Sequence, residues 1–448
     1  MEAAAKIIKR AMARKFIYAT LSLLLLTAVA IAAQDETDGM IVQYQARVAH
    51  FPNVANYDGL GAAYLQKGRE TSDLSYFAMA EQSLSKALDL TSSWDVEAAS
   101  PLTHMAAVCM AEHRFADAAS YAKQAIAAGA GDPSPSALLG DAYTDMGDYE
   151  LAQATYSKLR SADPFAEDSG RTYMYDTRIS YLKLLHGDDA AAVSLMQQAV
   201  QLALHTHMPS ENIAWTYYQL GEDFYHCGDL DNAAKSYSEA LLYYPGYYRG
   251  LGGLAKVRIS QQRYNEGIAL YQQAIATIPL IEYVAALADV YQTLGRQQDF
   301  DKQYKLLEFI GYLSALNERT YNRELAGFYA DHNLKLPQAL ELAKKELDNR
   351  NDVYTRDIYA WCLYKNGKLQ DASKAVDSAL SLGTKDALML YHAGIIYRDL
   401  GDTRRAEDAL RSALAINPQF HPLYSKVAAQ TLQGLREQRE TIARGQHE

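Results

Sequence analysis

The residues from 215 to 245 repeat the residue order of an earlier segment at 138–164. The later stretch is WTYYQLGEDFYHCGDLDNAAKSYSEALLYYP and the earlier one is LLGDAYTDMGDYELAQATYSKLRSADP. Both pass through Leu-Gly, an aromatic residue, Gly-Asp, Ala, Tyr and a closing Pro, and Pro245 and Pro279 close successive units 34 residues apart. One unit of this length cannot bury its own apolar face, so neighbouring units must stack into an elongated array.

Small and bulky residues recur within the unit at helical spacings. Leu220, Phe224 and Tyr237 supply bulk, whereas Gly221 and Ala233 stand where two helices must approach closely. Apolar residues three and four positions apart form one face of an α-helix. The pattern therefore predicts two antiparallel helices in each unit, and a larger residue at Gly221 is expected to overpack the contact between them.

Gly-Asp pairs at 147–148, 187–188, 228–229 and 401–402 separate the two predicted helices of a unit. Glycine readily takes the left-handed conformation that ends a helix, and the aspartate after it can cap the next helix. These pairs therefore predict the turns within the units.

The pattern resembles the tetratricopeptide repeat, which has the same period and the same order of Leu-Gly, Tyr, Ala, an aromatic residue and Pro. The runs at 352–372 and 388–402 are also similar to the C-terminal repeats of exported bacterial tetratricopeptide proteins of unassigned function. The resemblance implies an all-α solenoid of stacked antiparallel helix pairs with a C-terminal capping helix. The three best units match at Tyr217, Leu220, Gly221, Phe224, Gly228, Ala233, Tyr237, Ala240 and Pro245; at Leu139, Gly140, Tyr143, Gly147, Tyr149, Ala152, Tyr156 and Pro164; and at Gly394, Tyr397, Gly401, Ala406, Leu410, Ala413 and Pro418.

The repeats predict the organisation of the chain after its N-terminal segment. Residues 34–298 are expected to hold about seven repeats, led by a half-unit at 40–52. The phase of the pattern slips over 299–320, where a bend is expected, and 321–418 are expected to hold about three further repeats. Residues 419–448 are predicted to form the capping helix and a polar tail.

The N-terminal segment 1–33 carries five basic residues and then an uncharged run of 18 residues at 16–33. Its small residues near the end of that run are typical of a signal peptide that is cleaved. At about 1.5 Å per residue the run also just spans a hydrocarbon core, so an uncleaved membrane anchor is the alternative. Both interpretations predict export: a periplasmic or secreted protein, or one anchored by residues 16–33.

The rest of the chain is acidic, which argues against nucleic-acid binding. The formal net charge of the whole chain is -11, and residues 1–33 contribute +4, so the remainder carries -15. A phosphate backbone would repel such a surface. A protein or peptide is therefore the expected partner, and membrane contact is expected only through the N-terminal segment if it is uncleaved.

No motif in the sequence indicates catalysis, a metal or a cofactor. The run GLGGLA at 250–255 matches a dinucleotide-binding pattern, but it falls inside a predicted helix instead of following a strand. His205 and His207 form an isolated pair that lacks a third metal ligand. We therefore predict a non-enzymatic protein without a cofactor.

In tetratricopeptide proteins the first helices line a concave groove, and the resemblance implies that repeat positions 2, 5, 9, 12 and 13 face it. The lysines and asparagines of the family's carboxylate clamp are missing from this sequence, so binding through that clamp is not expected. Aromatic residues flanked by charge suit a binding surface, since Trp and Tyr offer large, rigid contact areas. The predicted partner-binding groove consists of Trp215, Tyr218, Glu222, Tyr225, His226, Arg249, Lys256, Asp289, Tyr354, Asp357, Trp361 and Tyr364.

The groove leaves two functional hypotheses and one structural alternative. The first hypothesis is an interaction scaffold that holds a partner peptide or helix in its concave face. The second is an exported accessory protein that binds a carbohydrate or another ligand on the same aromatic side chains. The structural alternative is that these rings simply pack between adjacent first helices.

Overall fold

A computed structural model describes residues 36–71, 73–92, 95–159, 169–316 and 322–445, and every regular element among them is helical. Helix α1 covers 36–50, ten antiparallel helix pairs follow, and α22 (Ser425–Gly445) closes the array. The first helices of the pairs are α2 (Val54–Thr71), α4 (Ala99–Ala111), α6 (Ser134–Asp145), α8 (Ser169–Leu185), α10 (Ser210–His226), α12 (Tyr248–Ser260), α14 (Ile281–Thr293), α16 (Asn322–Asp331), α18 (Val353–Lys365) and α20 (Ala387–Asp399). The second helices are α3 (Leu74–Asp89), α5 (Phe115–Ala127), α7 (Tyr149–Tyr156), α9 (Asp189–His205), α11 (Leu230–Tyr243), α13 (Tyr264–Thr277), α15 (Gln297–Leu316), α17 (Leu336–Asn349), α19 (Leu369–Ala379) and α21 (Thr403–Ile416).

This architecture confirms the predicted all-α solenoid with a capping helix. Three short 3₁₀ helices, Val96–Ala98, Ser157–Leu159 and Leu380–Leu382, complete the described elements. The N-terminal segment 1–33, Pro164 and residues 317–320 of the predicted bend lie outside the described residues. The predicted half-unit corresponds to α1, which begins at 36 and not at 40.

Small residues bring the two helices of a pair together, as the repeat predicts. A Cβ atom on Gly221 of α10 would lie 2.6 Å from the ring of Tyr237 on α11, so the ring fills the space that the missing side chain leaves. Ala233 and Ala240 on the same second helix are fully buried. Close approach at small residues with one bulky partner is therefore the packing rule of the pair.

Helix α15 is longer than the other second helices, with 20 residues against 14 in α13. It occupies most of the segment in which the phase of the repeat slips. One apolar cluster nevertheless extends from Ile281 on α14 through Leu307 on α15 to Leu435 on α22. The apolar core is thus continuous past α15, and the division into two arrays stays a prediction.

The Gly-Asp turns have the predicted backbone, but only half of the predicted caps. All four glycines have positive φ angles, between 69° and 83°. The carboxylates of Asp229 and Asp402 accept hydrogen bonds from backbone N–H groups in the first turn of the next helix. The caps predicted at Asp148 and Asp188 are wrong, since neither side chain bonds the following helix, and the Asp188 carboxylate faces Lys183 instead, at 3.3 Å.

The array curves so far that loops in its C-terminal part touch turns in its N-terminal part. We call this line of contacts the seam. It joins the turns at 113, 145–149, 185–189, 226–228 and 260 to the loops at 349–353, 383–386 and 416–417. Three of its hydrogen bonds connect residues 199 to 236 positions apart: Asn349 Nδ2 donates to the His113 carbonyl at 2.7 Å, the Val353 N–H donates to the Tyr149 hydroxyl at 2.9 Å, and Thr384 Oγ1 donates to the Leu185 carbonyl at 2.6 Å.

Apolar and charged contacts also contribute to the seam. Val353 and Met389 share a buried cluster with Tyr149 and two leucines of α8. Across the same boundary, Arg350 pairs with Asp145 at 2.5 Å. Lys385 and Asp189 form a more exposed ion pair at 3.5 Å.

Turn glycines have a second role at the seam. A side chain on Gly147, Gly187 or Gly228 would collide with a backbone carbonyl of the loop opposite. Gly401 has the same Gly-Asp pattern away from the seam, and no described atom lies within 4 Å of the place where its Cβ would be. Glycine is therefore needed at the seam for close approach as well as for its φ angle.

Candidate functional site

A cavity of about 650 Å³ lies inside the curve of the solenoid. Seven first helices contribute to its wall, α8, α10, α12, α14, α16, α18 and α20, together with the loops before α18, before α20 and after α21. One cavity can touch so many successive first helices only because the concave face bends round and closes at the seam.

Eight of the twelve predicted groove residues lie on the wall of this one cavity. They come from helices α10, α12, α14 and α18, whose sequence positions span more than a hundred residues. The repeat positions that the resemblance assigns to the concave face therefore lie together around one cavity in these four helices. These eight residues are Tyr218, Glu222, Tyr225, His226, Arg249, Lys256, Asp289 and Tyr354.

The other four predicted residues pack inside the array. Trp361 is 2% exposed, stacks on Tyr364 and His392, and donates from Nε1 to Asp331 at 2.8 Å. Asp357 is buried against His392, with 2.9 Å between its Oδ2 and the ring Nδ1.

The remaining two of these four residues also contact neighbouring helices. Tyr364 donates its hydroxyl proton to Asp399 at 2.7 Å, and Trp215 packs against two apolar clusters. Trp361, Asp357 and Tyr364 are thus held by side chains of α16 and α20, and Trp215 packs among residues of the helices around α10.

Lys256 and Glu222 form a charged pair in the middle of the cavity. The Lys256 Nζ lies 2.8 Å from Glu222 Oε2 and 4.2 Å from the centre of the Tyr225 ring. Burial alone would lower the pKa of Lys256, but the Glu222 carboxylate outweighs it and the pKa is raised. The two side chains thus satisfy each other within the protein.

Arg249 is placed differently, because aromatic rings surround it. Its guanidinium lies 5.3 Å from the centre of the Tyr248 ring and 5.8 Å from that of Tyr218, and its Nε donates to the Tyr248 hydroxyl at 3.1 Å. Within the described part of the chain, no carboxylate lies within ion-pair distance of it. Both Nη groups therefore remain available to a planar acceptor such as a carboxylate.

Glu282 on α14 is an acidic group whose pKa the charge of Arg249 affects. Its side chain is exposed, yet burial is the main cause that raises its pKa, and the Arg249 charge opposes this rise.

The opposite end of the cavity contains a histidine and carboxylate cluster. Asp289 accepts from His332 at 2.7 Å and faces His421 at 3.4 Å. Burial would raise the pKa of Asp289, but its bonds to the two histidines outweigh burial and lower it. Asp289 in turn raises the pKa of His421 against the opposing effect of burial.

Sequence reasoning missed Arg323 on α16 and the cavity residues that belong to loops. Arg323, Arg350 and Asp352 form a chain of ion pairs at the wall, with 3.1 Å from Arg323 to Asp352 and 3.0 Å from Arg350 to Asp352. Asp386 and His421 reach the wall from two further loops. The repeat pattern gives no sign of them, because these loops meet the concave face only through closure of the seam.

The motifs that were judged weak from the sequence are structural. Gly252 and Gly253 lie inside helix α12, as predicted, and a side chain on either would collide with Tyr283 or Tyr237. Cys109, Cys227 and Cys362 are free thiols. Among the described residues, no group of histidine, cysteine or acidic side chains is arranged to hold a metal ion. None of the described helices combines the length and apolar character that crossing a bilayer requires.

Comparison with known proteins agrees with the repeat architecture. Models of the tetratricopeptide repeat match residues 110–168, 227–290 and 360–419. Among solved structures, yeast Tom70 is similar, with 14% identity over 92% of this chain and 97% of that chain and a TM-score of 0.38. The APC/C hetero-tetramer Cut9-Hcn1 is similar with 15% identity over 92% of this chain and 95% of that chain and a TM-score of 0.34. No curated protein matches the sequence. The three matched segments and the ten stacked helix pairs identify tetratricopeptide repeats in this chain.

Proposed function

We propose that this protein is a non-enzymatic interaction scaffold that holds a short segment of a protein partner in its internal cavity. Tetratricopeptide solenoids are as a class scaffolds for protein interactions. The observation that carries the finer proposal is the convergence of seven first helices on one cavity, in which Arg249 has no carboxylate partner among the described residues.

The size of the cavity favours an extended segment over a helix. A helix with its side chains is a cylinder about 10–12 Å wide, whereas a cavity of about 650 Å³ has the size of a small-molecule site. An extended segment of a few residues fits the same space without a cylindrical shape. Of the two partners that the scaffold hypothesis allows, a peptide therefore fits the cavity better than a helix.

The chemistry of the wall favours a carboxylate on that segment. Arg249 presents two free Nη groups, and its planar fork binds a carboxylate through two parallel hydrogen bonds. The rings of Tyr218 and Tyr248 hold the guanidinium from the side and leave that fork uncovered. Tyr354 and Tyr225 offer flat surfaces for the hydrocarbon part of the segment further along the wall.

The test is a pull-down from whole-cell extract, envelope fraction included, with three forms of the chain. Arg249→Met removes the fork and keeps most of the side-chain volume. Arg263→Met is the matched control, because Arg263 is half-exposed in the turn before α13 and pairs only with nearby Glu266. The proposal predicts a protein that the parent and the Arg263→Met form retain and the Arg249→Met form loses. Retention of one set of proteins by all three forms would refute it.

A second candidate function is the binding of a small ligand such as a sugar. The cavity volume lies in the range of small-molecule sites, roughly 300 to 1,000 Å³. Its tyrosines and carboxylates are groups that stack on sugar rings and bond to hydroxyls. Deglycosylation of the captured partner separates the candidates, since loss of capture after that treatment indicates the glycan.

We also propose that the protein is exported through its N-terminal segment. The basic start of residues 1–33 and the uncharged run that follows support this proposal. N-terminal sequencing of the protein from its native cells tests it. A first residue between 29 and 35 means a cleaved signal peptide, an intact start in the membrane fraction means an anchor, and an intact start in the soluble cell interior contradicts export.

A further inference from the structure

The seam is a contact that the solenoid does not need in order to fold. Each helix pair of a repeat array is held by its immediate neighbours, so the array remains intact when distant turns separate. The seam contacts join residues about 200 positions apart and lie in turns and loops, not between the helices of a pair. Their loss would therefore leave every pair in place and change only the curvature.

The outer part of the seam is better suited to opening than its apolar part. The apolar part packs Val353, Ala379 and Met389, with Tyr354, Leu380 and Leu382 beside them, against side chains of α7 and α8 in one buried cluster. The outer part consists of hydrogen bonds and of the half-exposed ion pair between Lys385 and Asp189, a type of pair that contributes little to stability. Mixed interfaces of this kind between parts of one chain permit relative motion.

The charges at the inner part of the seam are costly to keep out of water, although the Arg350–Asp145 pair joins its two sides. Arg350 and Arg323 stand among four acidic side chains, those of Asp145, Glu324, Glu346 and Asp352. Burial raises the pKa of Glu346 to about 7, so the two positive charges face four carboxylates only once Glu346 has lost its proton. Opening of the seam exposes these charges to water, which favours the open form relative to a neutral contact.

We propose that the seam is a gate whose separation opens the concave face to partners that the closed cavity cannot admit. This inference rests on the proposed function for its biological meaning, since it concerns access to the same site. In the form with the seam closed, the cavity of about 650 Å³ has the size that suits a short segment or a small ligand. In the open form the faces of α10, α12 and α14 become a groove wide enough for a helix or a folded element of a partner.

The gate is tested by locking the seam and measuring access to the cavity. A carbodiimide couples the Lys385 amine to the Asp189 carboxylate without a spacer, because the two groups lie 3.5 Å apart. A Gln219→Cys substitution on α10 places a thiol on the cavity wall, in a Cys227→Ser background that removes the half-buried native thiol. Labelling is followed with N-ethylmaleimide and with a polyethylene-glycol maleimide of several kilodaltons.

The gate predicts that the large reagent labels the unlocked chain and that locking slows this labelling by roughly tenfold or more, because its rate follows the open fraction. Lys385→Arg keeps the positive charge but cannot be coupled, so carbodiimide treatment should leave its labelling unchanged. A thiol at the exposed Ser381→Cys position should react equally in locked and unlocked chains. An Ala286→Cys probe on α14 repeats the measurement should the first probe disturb α10.

Two results would overturn the proposal. One is labelling by the large reagent at the same rate with and without the lock, which would mean that the cavity is already open. The other is no labelling of the unlocked chain by the large reagent, which would mean that the seam does not open. Neither result needs a partner, so failure of the gate is distinct from failure of the Arg249-dependent capture that tests the proposed function.

Discussion

Glu346 on α17 is a buried acid beside the seam, and its replacement by glutamine gives a quantitative prediction. The side chain is 1% exposed, and its Oε2 has no hydrogen-bond partner. Burial raises the pKa of Glu346 to about 7, and the neighbouring Glu324 adds to this, while Arg350 and Arg323 oppose it. The folded chain therefore keeps a proton on Glu346 at pH values where the unfolded chain has lost it.

The sign and size of the effect follow from linkage. The folded state binds the extra proton between pH 4.5 and about 7, so the free energy of unfolding falls as the pH rises through this window. The pKa difference of about 2.5 corresponds to about 3 kcal/mol in total, at 1.36 kcal/mol for each pH unit. Glu346→Gln has no charge to bury, so its stability relative to the parent should increase by about 3 kcal/mol between these limits.

The assay is urea unfolding of both chains at pH 5, 6, 7 and 8, where the slope against pH reports the proton difference. Tryptophan fluorescence is a suitable probe, because Trp361 shares an apolar cluster with Ala339 and Ala343 of α17. Glu341→Gln on the exposed face of the same helix is the matched control and should show a constant difference from the parent. A difference between Glu346→Gln and the parent that does not change from pH 5 to pH 8 would refute the argument.

Three further substitutions test packing and hydrogen bonds at named places. Gly221→Ala should lower the free energy of unfolding in urea by about 1–3 kcal/mol, because its Cβ would lie 2.6 Å from the Tyr237 ring. Gly434→Ala on α22 meets no described atom within 4 Å and should be neutral or stabilising. Equal losses of stability in the two variants would contradict the packing rule. Thr384→Val should lower the free energy of unfolding by about 1–3 kcal/mol, because the buried hydroxyl donates to the Leu185 carbonyl across the seam. Thr206→Val, at an exposed helix end, should lower it only slightly. Equal losses of stability would contradict a role of the Thr384 bond in closure. Tyr424→Phe removes the hydroxyl that donates to Asp331 at 2.7 Å, and it should speed amide hydrogen exchange in α22. Tyr312→Phe, at an exposed site, should leave this exchange unchanged. Unchanged exchange in Tyr424→Phe would mean that this bond does not stabilise the capping helix.

The helix pairs could be predicted from the sequence because their determinants are local. Gly221, Tyr237 and the Gly-Asp turns act within one unit of 34 residues, so the repetition of the unit reveals them. The concave position of Tyr218, Arg249 and their equivalents was what the resemblance to tetratricopeptide repeats implied, and both residues lie on the cavity wall.

The closed form could not be predicted, because it depends on contacts that the repeat does not encode. The small rotation between neighbouring pairs adds up over ten pairs, and its sum decides whether Asn349 reaches His113. The loop residues Arg350 and Asp386 enter the cavity for the same reason. Trp361 and Tyr364 share the repeat positions of Glu222 and Tyr225, but Trp361 stacks on Tyr364 and the ring of Tyr424, just before α22, packs edge-on against Trp361.

The central claim is that the solenoid closes on itself at the seam, and carbodiimide coupling followed by mass spectrometry of the peptides tests it most directly. The account predicts an intramolecular link between Lys385 and Asp189 in the parent and its loss in Lys385→Arg. The Lys183–Asp188 pair, at 3.3 Å within one turn of the array, provides the internal positive control. Coupling of Lys183 to Asp188 without any coupling of Lys385 to Asp189 would mean that the solenoid is open in solution, and it would contradict the account.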